Sequence, residues 1–118
     1  MTISNDPVRV MPFNAEFTAE NGPVKVDRRS KPSELTELSA GFVDFPDGGK
    51  TDPWTLPYEE VFYVMMGELS LHLDGRTVTA AAGEVVTIEK GATVEYEGTP
   101  GTRAFFALVP ADWLETMG

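Results

Sequence analysis

One carboxylate stands apart in this sequence. Glu60 opens the run Glu60-Val61-Phe62-Tyr63-Val64-Met65-Met66, which reads as a buried strand. Strand alternation puts Trp54, Leu56, Glu60, Phe62 and Val64 on one face, and Tyr58 shares their parity across Pro57. A carboxyl desolvated against Trp54 and Phe62 is expected to keep its proton to higher pH than in water, because burial disfavours the charged form. A glutamic acid poised near neutrality can serve as general acid or base, and Tyr58 could donate to a carbonyl or a developing oxyanion. Such a set suits proton abstraction, isomerisation, elimination or ring closure on a small, largely apolar substrate. The rival reading is structural: a buried Glu bonded to a tyrosine or a backbone amide needs no further role. Trp54 and the tyrosines are likewise open between core packing and a ligand wall.

Other chemistry is thinly supplied. His72 is the one histidine and there is no cysteine. His-pair metal sites, thiolate nucleophiles, disulfides and CxxC sites are therefore excluded. His72 alternates with Leu71 and Leu73 and is expected to face away from the interior. The 118 residues hold 9 Lys+Arg against 19 Asp+Glu, a net charge of −10. That balance argues against nucleic acid, whose phosphates need a basic face, and against an anionic membrane surface. No apolar run approaches the ~20 residues of a membrane span. Met1 to Pro12 has no charged region followed by an apolar one, so no signal peptide is expected and the cytoplasm is the expected address.

The elements that must hold Glu60 are short strands. The 11 Gly and 9 Pro fall at brief intervals along one domain-sized chain. Val8-Arg9-Val10 and Val24-Lys25-Val26 alternate as edge strands, with a turn at Asn21-Gly22-Pro23. From residue 36 the period of two is plain, as Gly41, Val43 and Phe45 alternate with Ala40, Phe42 and Asp44. Leu69, Leu71 and Leu73 lead to Asp74-Gly75, a two-residue hairpin signal. Arg76 to Ala80, Val85 to Ile88, Thr93 to Tyr96 and Arg103 to Val109 supply further strands, and Pro110 is expected to start a short closing helix that includes Leu114. The pattern predicts an all-β sandwich or barrel, with 1–35 as strands and connectors packed on a barrel of 36–118.

The glycine spacing sharpens this. Gly48, Trp54, Leu56, Glu60 and Gly67 have the spacing of the first cupin motif. Gly83, Glu89, Gly91, Val94 and Gly98 have that of the second, with residues 68–82 between. The chain resembles the cupin superfamily, which implies a double-stranded β-helix, or jelly-roll barrel. At the positions where metal cupins carry three histidines and a glutamate stand Trp54, Leu56, Val94 and Glu60. One carboxylate does not make a transition-metal site, so no metal and no other cofactor is expected. The run Trp54-Thr55-Leu56-Pro57-Tyr58-Glu59-Glu60 is more specifically similar to the ethanolamine-utilisation, EutQ-like cupins. Ala40-Gly41-Phe42, Gly83-Glu84-Val85-Val86, Lys90-Gly91 and Pro110-Ala111-Asp112-Trp113 match as well.

If the barrel holds, Val94 and Tyr96 face Glu60 from an opposing strand. The candidate site is then Glu60 and Tyr58 as proton-handling groups, with Trp54, Leu56, Phe62, Val94 and Tyr96 lining a small-molecule pocket. A non-catalytic ligand-binding cupin is the alternative. The resemblance also implies an acetate kinase-like role, although the sequence shows no Gly-rich phosphate loop and no Lys/Arg cluster. A homodimer is implied by the resemblance, and by Val61, Tyr63 and Met65 on the outward face of the Glu60 strand, where they would need cover.

Overall fold

The computed structural model describes residues 6–33 and 35–116. A 3-10 turn at Ala15–Phe17 leads into β1 (Thr18–Asn21), β2 (Val24–Asp27), β3 (Ser39–Phe45), β4 (Gly49–Lys50), β5 (Trp54–Thr55) and β6 (Glu59–Met66). There follow β7 (Glu68–Leu73), β8 (Arg76–Ala81), β9 (Val85–Ile88), β10 (Thr93–Gly98), β11 (Thr102–Val109) and α1 (Trp113–Thr116). The strands form a six-stranded sheet, β1-β2-β3-β11-β6-β9, against a smaller sheet, β4-β10-β7-β8, with β5 also on β10. The expected all-β, double-sheet barrel is what the chain forms.

The turns follow from residue type. Asp74 and Gly75 both take positive φ, 49° and 74°, and close the β7–β8 hairpin, as a primed turn requires. Gly67 separates β6 from β7 at φ +79°, where any Cβ would run into Thr102. The Thr102 hydroxyl uses that space to bond both the N–H and the carbonyl of Glu68, each at 3.1 Å.

Inward residues stack in layers. At one end Phe45, Val64, Leu69, Thr102 and Ala104 are almost wholly buried. Gly98 leaves room there for the Phe45 ring. Phe62, Leu71 and Phe106 form the middle, and Leu56, Tyr58, Glu60, Ile88, Val94 and Leu108 the other end. The register supports this order, since Val64 lies opposite Ala104 and Glu60 opposite both Leu108 and Ile88.

Two expectations are corrected. Val8-Arg9-Val10 is not a strand; β1 takes that place and pairs with β2 through Asn21 and Val24. Pro7 and Pro12 flank the segment and lack the N–H groups a ladder needs. The closing helix begins at Trp113 rather than Pro110, because the Ala111 N–H bonds the Glu37 carbonyl at 2.9 Å and prolongs the β11 edge first. The N-terminal strands continue the larger sheet through β2–β3 pairing.

Candidate functional site

Glu60 enters the barrel from the second residue of β6, between an exposed Glu59 and a half-buried Val61. Its side chain is buried, with the residue 8% exposed. The Tyr96 hydroxyl donates to Glu60 Oε1 at 3.0 Å. Tyr96 is fixed in turn by buried Thr51. The Thr51 N–H donates to the Tyr96 carbonyl at 2.8 Å, and the Tyr96 N–H donates to Thr51 Oγ1 at 3.0 Å. The Phe62 ring packs edge-on against Tyr96, centroids 5.8 Å apart.

A second polar pair lies beside the first. Trp54 Nε1 donates to Tyr58 Oη at 3.1 Å. Trp54 comes from β5, where it lies opposite Val94 of β10. Leu56 is clamped by two backbone bonds, its N–H to the Ala92 carbonyl and its carbonyl from the Gly91 N–H. Tyr58 follows Pro57 and keeps the inward parity expected of it. Trp113 closes this end edge-on, 5.9 Å from the Trp54 ring and 5.1 Å from the Tyr58 ring.

Burial governs the electrostatics. It pushes the Glu60 carboxyl up to about 8, and the Tyr96 hydrogen bond, which favours the charged form, offsets only part of that. Both tyrosines are driven well above the ordinary phenol range, first by burial and then by the nearby Glu60 charge. Arg28 acts in the opposite sense on Tyr58. At neutral pH the site is thus a mostly protonated acid among neutral hydroxyls.

The structure gathers the sequence-predicted residues toward one end of the barrel, with Phe62 one layer further in, opposite Phe106. Glu60, Tyr58, Leu56, Phe62 and Val94 are buried, while Trp54 and Tyr96 are partly so. Sequence reasoning missed Trp113 and Thr51. The closing Pro110-Ala111-Asp112-Trp113 run was the available sign of Trp113. Nothing local in sequence marks Thr51, which reaches the site through its long-range bonds to Tyr96. His72 faces outward, its ring nitrogens on Thr77 Oγ1 at 2.8 Å and Glu97 Oε1 at 2.7 Å.

Two clefts stand out among the described residues, and Glu60 itself is among the residues that line the second. One of about 400 Å³ lies along the β7–β8 hairpin by His72, Arg76 and Lys50. The other, of about 330 Å³, is an apolar groove by Leu38, Val61, Thr87 and Ala107, along the larger sheet. Inside the barrel the Tyr96 and Phe62 rings pack beside the Glu60 carboxyl.

The metal that many such barrels carry does not fit this donor set. Trp54, Leu56 and Val94 offer no ligand atom beside Glu60. Among the described residues no three His, Asp or Glu side chains converge.

An antiparallel double-sheet barrel with one chemically furnished end is the architecture of the cupins. A Cupin 2 conserved barrel domain protein from Salinispora arenicola matches with TM-score 0.71 over 94% of this chain and 96% of that one, at 14% identity, a likeness of fold. The family described as ethanolamine utilisation protein EutQ matches residues 27–115, and the chain belongs to it. The EutQ structure from Clostridium difficile superposes with TM-score 0.74 at 27% identity, covering 86% of this chain and 82% of that one. In sequence, the acetate kinase EutQ of Clostridioides difficile is 35% identical over 80 residues, 68% of this chain and 50% of that protein. The Escherichia coli acetate kinase EutQ is 35% identical over 78 residues, 66% of this chain and 33% of that protein. The chain thus spans half or less of these two relatives.

Proposed function

We propose that this EutQ-family cupin holds a small, largely apolar molecule at the Glu60 end of the barrel, without a metal, and moves a proton with Glu60. The reaction class is lyase, isomerase or cyclase. The observation that carries this reading is a buried carboxyl whose pKa of about 8 sits beside the working pH, with a tyrosine hydroxyl fixed on it. At pH 7 Glu60 is mostly the acid, with about a tenth ionised, so it can deliver a proton readily and accept one in a minor fraction. After it gives up the proton, the Tyr96 O–H remains on Oε1 to support the carboxylate. Tyr58 accepts from the Trp54 indole and keeps its own proton for a substrate oxygen. Rings on most sides would exclude water from the transfer. The acidic composition supports a partner list of small molecules rather than nucleic acid or membrane surface. The lack of cysteine agrees with a cytoplasmic setting.

A second reading, a non-catalytic ligand-binding cupin, is favoured by the closed packing of Trp54, Tyr58 and Trp113. The kinase named for the relatives is weaker here. Phosphoryl transfer needs clustered cations on the phosphates, and the site contains an acid in a chain of net charge −10.

Glu60→Gln separates these readings. Ligands would first be found by thermal shift with a panel of small carbonyl and alcohol compounds, and turnover followed by NMR. For a proton carrier, Glu60→Gln abolishes turnover while affinity changes only a few-fold. If affinity collapses and the native protein never turns anything over, the binding reading stands. ATP-dependent formation of acetyl phosphate by purified protein would instead support the kinase.

A further inference from the structure

His72 is held on both sides by side chains. Its ring nitrogens bond Thr77 Oγ1 at 2.8 Å and Glu97 Oε1 at 2.7 Å. A hydroxyl, an imidazole and a carboxylate thus stand in a row across β8, β7 and β10, three neighbouring strands of the smaller sheet. The register builds the row. His72 lies directly opposite Thr77 on one side and Glu95 on the other, and Glu97 is two residues further along the same face. An ionised carboxylate can only accept, so Glu97 puts the ring proton on Nε2. Nδ1 of the neutral imidazole is then the acceptor for the Thr77 O–H. In that tautomer the hydroxyl proton points at a base.

Other hydroxyls on this face are paired differently. Ser70 bonds Thr79 at 2.8 Å and Thr55 bonds Thr93 at 2.6 Å, hydroxyl to hydroxyl. Among the described residues, Thr77 is the hydroxyl given an imidazole. The sheet gains little stability from the row, because an exposed ion pair is nearly neutral for folding. The row also has space beside it. Thr77 and His72 line the cleft of about 400 Å³ at the β7–β8 hairpin. Thr77 is exposed, whereas the imidazole is only 26% so, which leaves the hydroxyl open and its base largely covered. Arg76 and Lys50 line the same cleft. The Arg76 guanidinium makes no ion pair with any described residue, and Lys50 is held loosely, 3.9 Å from Glu95. Two such cations would stabilise negative charge developing on a carbonyl oxygen in the cleft.

We propose that Thr77, His72 and Glu97 form a second reactive centre, which hydrolyses small carboxylic esters through an acyl group carried on Thr77. Thr77 Oγ1 attacks the ester carbonyl carbon as its proton passes to His72 Nδ1, and the carbonyl π pair moves onto oxygen. When that pair returns, the bond to the alkoxy oxygen breaks and the alcohol leaves with the proton from Nδ1. Water then attacks the acyl carbon and gives a proton to Nδ1. The bond to Thr77 breaks, the acid is released, and the proton returns to Thr77 Oγ1. Glu97 accepts from Nε2 throughout and supports the imidazolium. The lining includes Lys50, His72, Arg76 and Glu95, which favours short acyl chains over greasy ones. The centre lies on the outside of the barrel and is independent of the proton chemistry at Glu60.

The full chain with p-nitrophenyl acetate tests it, through nitrophenolate release and through intact mass after an acid quench. The expected result is turnover, with an acetyl group located on Thr77 by peptide mapping. Thr77→Val keeps the shape without the hydroxyl and should lower the rate about 100-fold, as should His72→Gln. Glu97→Gln removes the charge that supports the imidazolium and should lower it about tenfold. Thr79→Val, on the same strand and face, should leave the rate unchanged. All four positions face outward, so each variant should keep the native circular dichroism. A full chain no faster than Thr77→Val, or an acetyl group found only on other residues, overturns the proposal. A rate that falls in His72→Gln but not in Thr77→Val makes His72 a lone surface nucleophile and overturns it as well.

Discussion

The two ends of the barrel differ in what they bury. One end holds Phe45, Val64, Leu69 and Ala104, with Thr102 as its polar member, and that hydroxyl is spent on the Glu68 backbone. The other holds two separate polar pairs, a carboxyl bonded to one phenol and a second phenol bonded to an indole, rather than side chains bonded to the strand framework. A core that needs only cohesion has no use for a carboxyl whose burial penalises its charge. The contrast is what supports the proposal that the Glu60 end does more than stabilise the barrel.

Substitutions at the closed end should therefore act on stability alone. Phe45→Ala should lose about 3–5 kcal/mol in chemical denaturation, because the ring is enclosed and the gap beside Gly98 cannot collapse. Any ligand affinity retained in the surviving folded fraction should match the native protein.

The Glu60 end should show itself in pH dependence. Folded Glu60 binds its proton more tightly than the unfolded chain does, with pKa about 8 against 4.5. Its stabilising contribution is complete below pH 4.5 and is lost as pH rises toward and through 8, at about 1.4 kcal/mol per pH unit between those values. Denaturation midpoints measured from pH 4 to 9 should fall along this slope (pH values chosen around that window), and Glu60→Gln should flatten it. A slope that survives in the variant assigns the proton elsewhere.

Trp113→Ala should cost roughly 2 kcal/mol by removing two edge-to-face contacts. It should also speed ligand entry, read by stopped-flow fluorescence of Trp54. Tyr96→Phe is the smallest change. It should cost about 1 kcal/mol and move the Glu60 titration upward, since the lost hydrogen bond favoured the carboxylate. A downward movement would contradict the hydrogen-bond assignment.

Much of this contrast is legible in the sequence. Alternation fixes which side of β6 Glu60 occupies, and Asp74-Gly75 fixes the hairpin, because both depend on neighbours in the chain. Glycines 67 and 98 mark where strands approach too closely for a side chain. The Glu60–Tyr96 contact needed the barrel resemblance, since those residues meet only when two sheets close. The Val8 arm misled because alternation records a capacity to pair and not the presence of a partner strand. Trp113 was hidden by a helix start set three residues after Pro110, past a backbone bond from Ala111 to Glu37.

The protonation of Glu60 itself is the most direct test. With ¹³C-labelled glutamate, the Glu60 side-chain carboxyl resonance should be assigned by its absence in Glu60→Gln and followed with pH. It should titrate near pH 8, well above the ordinary glutamate value of 4.5. Titration close to 4.5, the ordinary glutamate value, would mean that the carboxyl is solvated and that the barrel holds no poised acid.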